Sequence, residues 1–201
     1  MCDHSEHRPY HHGDLKRALI ETALGMLVEG EGWQFTLREV ARRAGVSHGA
    51  PYKHFADKAA LLAEMAIIGY MQLREALLVA LRGEEKAPPS DLVAVAEAYI
   101  DFGLANGALY RLMFSLDIKK VENAGLSAAS FATFEVLSEI LIRGQRGGAF
   151  KLRPIEAQAA ACWALVHGLT TLELDRQLTA EKVGPKPIEA ALASLLEGIA
   201  V

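Results

Sequence analysis

The most informative stretch of this 201-residue chain is residues 36–55, which read TLREVARRAGVSHGAPYKHF. Thr36 is a good helix N-cap, and Glu39 three residues later completes a capping box, so a short helix is predicted to begin after Thr36. Gly45 can take the left-handed conformation that ends this helix, and Ser47 is expected to cap a second one. The spacing predicts a tight helix-turn-helix.

The second helix of this motif, predicted over residues 48–54, has small side chains in its first turn. His48, Gly49 and Ala50 would allow close approach to the base edges in a DNA groove. Pro51 is tolerated because it lies within the first helical turn. The polar side chains that suit phosphate contacts follow at Tyr52, Lys53 and His54. An ordinary pair of antiparallel helices also uses a glycine turn, so the spacing alone leaves both interpretations open.

Charge is distributed unevenly along the chain. The net charge is −4, yet residues 36–55 carry +3, which leaves −7 for the remainder. The basic residues of this segment, against the single acid Glu39, are Arg38, Arg42, Arg43 and Lys53. A local positive segment is the electrostatic footprint of a nucleic-acid contact, although an exposed helix face can carry the same charges.

Apolar residues recur at helical spacing along almost the whole chain, without sustained apolar–polar alternation. The fold class is therefore predicted to be all-α, with a three-helix helix-turn-helix head over residues 1–56 and a larger helical body over residues 57–201. Asp14 is the expected N-cap of the first helix, and Asp57 that of a long helix reaching about Arg82. Further helices are predicted at residues 91–105, 107–115, 126–146, 155–177 and 187–200.

Composition and cysteine content narrow the class of protein. With 51% hydrophobic and 23% charged residues, the chain can bury a sizeable core. The two cysteines, Cys2 and Cys162, are too few and too far apart for a disulfide framework, which favours a reducing compartment. There is no signal-peptide pattern and no run of about 18 uncharged apolar residues, so we expect a soluble, cytoplasmic protein without a membrane partner.

The helix-turn-helix residues resemble the TetR/AcrR family of transcriptional repressors. The resemblance runs through residues 10–15, Thr36, Ala41, residues 44–47, Gly49, residues 52–55, Lys58 and Leu61. A shorter match, at residues 163–168, is similar to the Trp-His-Gly signature of one C-terminal subclass. The resemblance implies a homodimer that reads a pseudo-palindromic operator in double-stranded DNA, and a helical body that binds a small inducer.

The same resemblance implies roles for individual residues. Phosphate contacts are implied for Thr36, Ser47, Tyr52, Lys53 and His54, with Lys58 capping the same surface. Base contacts are implied for His48, Gly49 and Ala50. An N-terminal arm is a further candidate for minor-groove or phosphate contacts through Arg8, His11 and His12, although disorder is the common fate of such termini.

We expect dimerisation through the helices predicted at residues 155–177 and 187–200. A single helix-turn-helix buries too little surface for tight specific binding to DNA. Two heads about 34–36 Å apart would contact two half-sites of an operator and so double the number of bases that are read. The small and aliphatic residues expected there are Ala157, Ala160, Ala161, Ala164, Gly168, Ala191, Leu192, Leu195, Leu196 and Ile199. If they are interfacial, Leu195→Glu should give a monomer; the alternative is that these stripes are internal core.

A ligand pocket is expected in the body, with Trp163 and His167 on one wall because they lie four residues apart on one helix face. The candidates for the other walls are Tyr99, Phe102, Tyr110, Met113, Phe131 and Phe134. Such a lining would suit an apolar or aromatic inducer that is uncharged or weakly acidic. The alternatives are that Trp163 and His167 are merely packed in the core, or that the protein is a ligand-free DNA-binding or architectural protein.

A metal sensor is a further alternative. Residue types that bind soft or borderline metals cluster near the N-terminus, at Cys2, His4, His7, His11 and His12. Their spacing matches no closed metal site, so we expect no metal site and no cofactor.

An enzyme has little support. Nucleophile and base types lie on one predicted helix, at Cys162, His167, Glu173 and Asp175. Cys162 and His167 are about 140° apart around the helix axis and do not face each other, so no catalytic residue is expected.

Overall fold

The computed structural model describes residues 12–83 and 87–201. Within these ranges the backbone is helical with connecting turns and no β-strand, and an isolated antiparallel bridge joins Phe150 to Ala200. The all-α prediction is confirmed. Outside the described residues lie the N-terminal positions considered for metal binding or DNA contact, namely Cys2, His4, His7, Arg8, His11 and the side chain of His12.

The helices follow one another through short connections. In chain order they are α1 (His12–Met26), α2 (Leu37–Arg43), α3 (Lys58–Ala80), α4 (Pro88–Ala105), α5 (Gly107–Met113), α6 (Leu116–Lys119), α7 (Ala124–Arg146), α8 (Ile155–Leu174), α9 (Ala180–Val183) and α10 (Pro187–Ile199). A π-helical turn, Leu27–Glu31, follows α1, and a 3₁₀ turn, Pro51–Lys53, follows α2.

Several helix starts differ from the prediction. Helix α1 begins at His12, so Asp14 lies in its first turn and the prediction that Asp14 is the N-cap is wrong. Helix α4 begins at Pro88, three residues before the predicted start at residue 91. Proline is tolerated there because the N–H that it lacks has no hydrogen-bond partner in the first turn of a helix. Helix α7 begins at Ala124, where the Asn123 side chain accepts a hydrogen bond from the Leu126 amide at 3.0 Å.

The first half of the helix-turn-helix forms as predicted. The Glu39 amide donates to Thr36 Oγ1 at 3.2 Å, and the Thr36 amide donates to Glu39 Oε2 at 2.6 Å, which completes the capping box. Gly45 has a φ of +70°, the left-handed conformation that favours glycine. The Val46 amide then donates to the Ala41 carbonyl at 3.0 Å and closes the turn.

The second half is tighter than the helix predicted over residues 48–54. The Ala50 amide donates to the Ser47 carbonyl at 2.9 Å and the His54 amide to the Pro51 carbonyl at 2.9 Å, both three residues back. Pro51 has no N–H for an α-helical bond to Ser47, so the segment winds as a 3₁₀ turn. The prediction that Ser47 is an N-cap is therefore wrong: Ala50 occupies that position, without a side-chain cap.

The long helix α3 connects head and body. Asp57 caps it as predicted, since its Oδ1 accepts a hydrogen bond from the Ala60 amide at 2.8 Å. Near its start α3 packs against α1, where Lys16 and Glu64 form an ion pair at 2.8 Å, and further along it packs against α4, α5 and α7. One continuous apolar core runs from head to body. The division at residues 56 and 57 stays a prediction.

One helix of the described residues, α7, is long and apolar enough by length and composition to cross a membrane. It packs against α3, α4 and α8, and its Arg143 forms an ion pair with the buried Asp91 of α4. These contacts bury the side of α7 that carries Val136, Ile140 and Leu141, while Phe131 remains exposed.

Gly144→Ala tests the packing of α7 against the turn that follows it. A Cβ at Gly144 would overlap the buried ring of Phe150, so the free energy of unfolding should fall by about 1–3 kcal/mol. Gly25→Ala in α1 is the matched control, since its Cβ would meet nothing within 4 Å, and it should raise that energy by about 0.5–1 kcal/mol. Urea denaturation followed by circular dichroism measures both, and equal effects would contradict the close packing.

Candidate DNA-contacting surface and ligand cavity

The turn after α2 exposes most of the residues predicted to contact DNA. Tyr52 is 53% exposed despite its aromatic ring, and Lys53 beside it is also exposed. The predicted contact residues that are exposed are Thr36, Ser47, His48, Gly49, Tyr52 and Lys53. An aromatic ring and a cation left in solvent on one short turn suit contacts to a sugar–phosphate backbone.

The remaining predicted contact residues, Ala50, His54 and Lys58, are half-buried. His54 Nε2 is buried, with no hydrogen-bond partner among the described residues, and the ring packs edge-on against Phe55 at 6.4 Å between centroids. The Lys58 ammonium lies 5.7 Å from the centre of the Phe35 ring, a cation–π geometry. These side chains are held by the head, and their phosphate contacts stay predictions.

The charge of the head is smaller than the sequence count indicates. Arg43 forms an ion pair with Glu29 of the π-helical turn, a residue outside the segment that was counted. Glu39 is held by the capping box, and the hydrogen bond from the Thr36 amide lowers the pKa of its carboxyl. Arg38 and Arg42 remain exposed beside the turn. Sequence reasoning missed the Glu29 pair because the contact depends on how the π-helical turn folds back.

A cavity of ≈ 320 Å³ lies in the body, between α3, α4, α7, α8 and α10. Its wall consists of Tyr70, Leu73, Leu77, Leu92, Val95, Ala96, Tyr99, Phe114, Ser130, Phe131, Thr133, Phe134, Leu137, Cys162, Trp163, Val166 and Leu195. Among these described residues there is no Asp, Glu, Lys, Arg or His. The size and the apolar wall are those of a small-molecule site.

The structure places four of the eight predicted ligand residues on this wall, namely Tyr99, Phe131, Phe134 and Trp163. Phe102, Tyr110, Met113 and His167 do not line this cavity. Phe102 and Tyr110 are buried in the core, Met113 is buried and lines a neighbouring hollow, and the His167 ring lies within hydrogen-bond distance of the Tyr99 hydroxyl. Helical spacing identifies buried faces, but it does not show which of them surrounds a hollow. The wall that sequence reasoning missed comes from α3 at Tyr70, Leu73 and Leu77, whose spacing of three and four residues marks one helix face.

A hydrogen-bonded cluster holds one side of the cavity. Trp163 Nε1 donates to the Tyr99 hydroxyl at 3.3 Å, and that hydroxyl lies 3.2 Å from the hydroxyl of Tyr110. His167 Nδ1 lies 2.6 Å from the Tyr110 hydroxyl and 3.2 Å from that of Tyr99. Burial raises the pKa of both tyrosines, so both hydroxyls stay protonated. The cluster satisfies these polar atoms within the protein.

The residues weighed for catalysis do not form a catalytic group. Burial raises the pKa of the Cys162 thiol to about 11, which keeps it protonated and a poor nucleophile at neutral pH. Asp175 forms an ion pair with Arg111. Within the described ranges, no group of three or more His, Cys, Asp and Glu residues could hold a metal ion.

The outer faces of α8 and α10 carry small residues. On α8, four residues of the expected stripe are exposed, namely Ala157, Ala160, Ala161 and Ala164, and the fifth, Gly168, is half-buried. Their part in a dimer interface stays a prediction. On α10 the expected stripe is wrong: Leu192 is buried, Leu195 lines the cavity, and Ala191, Leu196 and Ile199 pack against the core. The helical spacing of the apolar residues of α10 was predicted correctly, but these residues pack against the core of their own chain. The exposed side of α10 is formed by Glu189, Ala190, Ala193, Ser194, Glu197 and Gly198.

Head and body are also joined by a contact away from α3. The Trp33 indole, between the π-helical turn and α2, donates to Asp117 Oδ2 of α6 at 2.8 Å. The π-helical turn packs on α5. A change in α5 or α6 therefore reaches the head directly.

Comparison with known proteins assigns both parts of the chain to one family. Residues 19–65 match the model for bacterial regulatory proteins of the tetR family, and residues 92–199 match the model for a tetracyclin repressor-like C-terminal domain. Neither description names the Trp-His-Gly subclass, so that resemblance stays a prediction. No curated protein sequence matches the chain.

Solved structures share the fold over most of the chain. A protein with unknown function from Rhodococcus sp. RHA1 is 32% identical, with a TM-score of 0.83 over 96% of this chain and 100% of its own. The TetR family transcriptional regulator PfmR from Thermus thermophilus is 23% identical, with a TM-score of 0.63 over 88% and 94% of the two chains. A TetR family transcription regulator from Marinobacter aquaeolei is 20% identical, with a TM-score of 0.67 over 94% and 97%. The last two similarities show the fold alone.

The C-terminal family model covers more than half of the chain, and the N-terminal model covers the helix-turn-helix. The observed head, with its capping box and glycine turn, and the helical body above it agree with both. The chain belongs to the TetR family of bacterial regulatory proteins, which bind DNA and regulate transcription.

Proposed function

We propose that this protein is a transcriptional repressor in the cytoplasm that leaves its operator when a small, uncharged, apolar or aromatic ligand fills the body cavity. The observation that carries the proposal is the position of α3. This helix leaves the head at Lys58, and its residues Tyr70, Leu73 and Leu77 form one wall of the cavity. A ligand that favours another position of α3 would therefore move the head.

In the proposed DNA complex the exposed turn enters a major groove. His48, Gly49 and Ala50 face the base edges: Gly49 and Ala50 are small enough to allow close approach, and the His48 imidazole can hydrogen-bond to a base. The residues proposed to fix the head on the phosphates are Thr36, Ser47, Tyr52, Lys53, His54 and Lys58. Exposure of the polar groups at Ser47, Tyr52 and Lys53 supports this arrangement.

The proposed dimer brings the outer faces of α8 and α10 against those of a second copy. Small exposed residues such as Ala161, Ala164 and Ala193 let helices approach closely in a four-helix interface. A two-fold axis through this interface would present two heads to a pseudo-palindromic operator, about 34–36 Å apart.

Two connections carry the proposed response from cavity to head. The first is α3 itself, and the second is the hydrogen bond from Trp33 to Asp117 of α6. A coupling free energy of about 1–3 kcal/mol between ligand and operator would weaken DNA binding about 5–150-fold.

The second candidate is a ligand-free DNA-binding or architectural protein. Dimerisation alone needs no apolar cavity in the body, so the ≈ 320 Å³ cavity favours a sensor of small molecules. A metal sensor would depend on N-terminal residues outside the described ranges, and we do not propose it.

Lys53→Ala and His48→Ala test the DNA-binding surface. Lys53→Ala should weaken binding to all sequences and lower the slope of log affinity against log salt by about 0.9, because one phosphate contact is lost. His48→Ala should instead change the base preference, by about 1–3 kcal/mol at the contacted position. Fluorescence anisotropy, with an operator selected from a random-sequence pool and an unrelated duplex, measures both.

Lys120→Ala is the control for the loss of a lysine, since Lys120 is exposed in the body. It should leave both the affinity and the salt slope unchanged. Equal binding of the wild-type protein to the selected operator and to unrelated DNA at physiological salt would contradict sequence-specific recognition.

Ala164→Glu tests the proposed dimer. A carboxylate on the exposed face of α8 would be buried without a partner in the interface, so the variant should sediment as a monomer and lose operator affinity. Ala128→Glu on the exposed side of α7 is the matched control and should remain dimeric. Leu195→Glu does not serve this purpose, because Leu195 lines the cavity. An Ala164→Glu variant that stays dimeric in sedimentation velocity would place the interface elsewhere.

A further inference from the structure

A second hollow of ≈ 320 Å³ adjoins the body cavity. We call the cavity described above the inner chamber and this hollow the outer chamber. The walls of the two have five residues in common, namely Tyr70, Phe114, Ser130, Phe131 and Trp163. The residues that line the outer chamber alone are Met113, Ile118, Val121, Leu126 and Ser127. The two chambers are therefore neighbours separated by side chains, with no helix between them.

The combined site is elongated. Along α7 the lining begins at Leu126 in the outer chamber and ends at Leu137 in the inner one. Eleven residues of helix at 1.5 Å per residue span about 16 Å. Phe131, near the middle of this span, is 70% exposed, and Trp163 opposite it on α8 is 41% exposed. The exposed Phe131 ring can move to make room for a ligand, whereas the Trp163 indole is held by its hydrogen bond to the Tyr99 hydroxyl.

The linings differ in chemistry. Among the described residues, neither wall has an Asp, Glu, Lys, Arg or His. Two polar groups of the inner chamber already have partners: the Thr133 hydroxyl donates to the Ala129 carbonyl at 2.8 Å, and Tyr99 belongs to the hydrogen-bonded cluster. The outer chamber adds the hydroxyl of Ser127, and the hydroxyl of Ser130 lies on the wall that the two chambers share. Both hydroxyls can donate and accept.

We propose that the two chambers form one bipartite site for an elongated, uncharged amphiphile. Its aliphatic chain occupies the inner chamber, and its neutral polar group, a hydroxyl, carbonyl or ester, lies between Ser130 on the shared wall and Ser127 in the outer chamber. A charged group would be desolvated there without a counter-ion, which excludes carboxylates and amines as the preferred ligands. This inference rests on the proposed function, since it specifies the ligand of the same regulatory cavity.

A series of 1-alkanols from 1-hexanol to 1-decanol is the probe. The affinity of the protein for the alkanol should rise about fourfold with each added methylene, because each methylene is transferred from water to the apolar wall. The rise should stop when the chain is longer than the cavity. Isothermal titration calorimetry on the wild-type protein measures the series. Fluorescence of the Trp33→Phe variant, in which Trp163 is the sole tryptophan, reports whether the alkanol binds at the shared wall.

Two variants fill one chamber each. Leu137 lines the inner chamber alone and Val121 the outer chamber alone, and both are half-buried. Leu137→Trp should weaken both 1-hexanol and 1-decanol at least tenfold. Val121→Trp should weaken 1-decanol at least tenfold, because the indole would fill the space beside Ser127 in which the alkanol hydroxyl is proposed to lie. Leu137→Phe and Val121→Phe provide the same comparison if a tryptophan variant does not fold.

The outcomes separate this inference from the proposed function. If Val121→Trp leaves 1-decanol binding unchanged while Leu137→Trp weakens it, the bipartite site is wrong and the inner chamber remains the ligand site. If Leu137→Trp changes neither alkanol, the inner chamber is not a ligand site and the proposed function loses its sensor. Octanoate that binds as tightly as 1-octanol at neutral pH, or a wild-type protein that binds no alkanol, would overturn the ligand class proposed here.

Discussion

The unbroken backbone of α3 (Lys58–Ala80) is the constraint on which the rest of the structure depends. Its first turn is fixed by the Asp57 cap at the edge of the head, and its buried face continues through the core to the cavity wall at Tyr70, Leu73 and Leu77. Helix α3 is continuous over 23 residues and contains no proline, so it has none of the breaks at which helices kink sharply. In the proposed response, a displacement of its cavity-lining part would therefore be carried to the head.

The cavity is held open from the opposite side by polar groups. Trp163, Tyr99, Tyr110 and His167 form one hydrogen-bonded cluster across α4, α5 and α8, and breaking it would leave buried hydroxyls unpaired. This side of the wall is rigid, so a ligand that needs space displaces the apolar sides. Those sides are α3, which leads to the head, and the exposed ring of Phe131. In the proposed function, this arrangement would direct a ligand-induced movement toward the DNA-binding head.

Local signals predicted the head well and the cavity only in part. The capping box at Thr36 and the left-handed Gly45 depend on residues within one or two turns, so the sequence contains all of their determinants. The 3₁₀ turn at Pro51 was not predicted from the sequence. An α-helix tolerates proline in its first turn, so a helix was expected to continue through Pro51 to His54. The cavity depends on which of several buried helix faces leave space between them, as Tyr99 on the wall and Phe102 in the core illustrate. Spacing along one helix contains no information about that space.

The most direct test is the distance between the two heads of the dimer, measured by double electron–electron resonance. A spin label at Arg38→Cys, exposed on α2, reports each head in a Cys2→Ser background, and Cys162 stays unlabelled because its thiol is buried. The account predicts one distance distribution with the operator bound and a displaced one with saturating 1-decanol. Identical distributions in the two states, with the alkanol bound, would contradict the claim that α3 transmits ligand binding to the head.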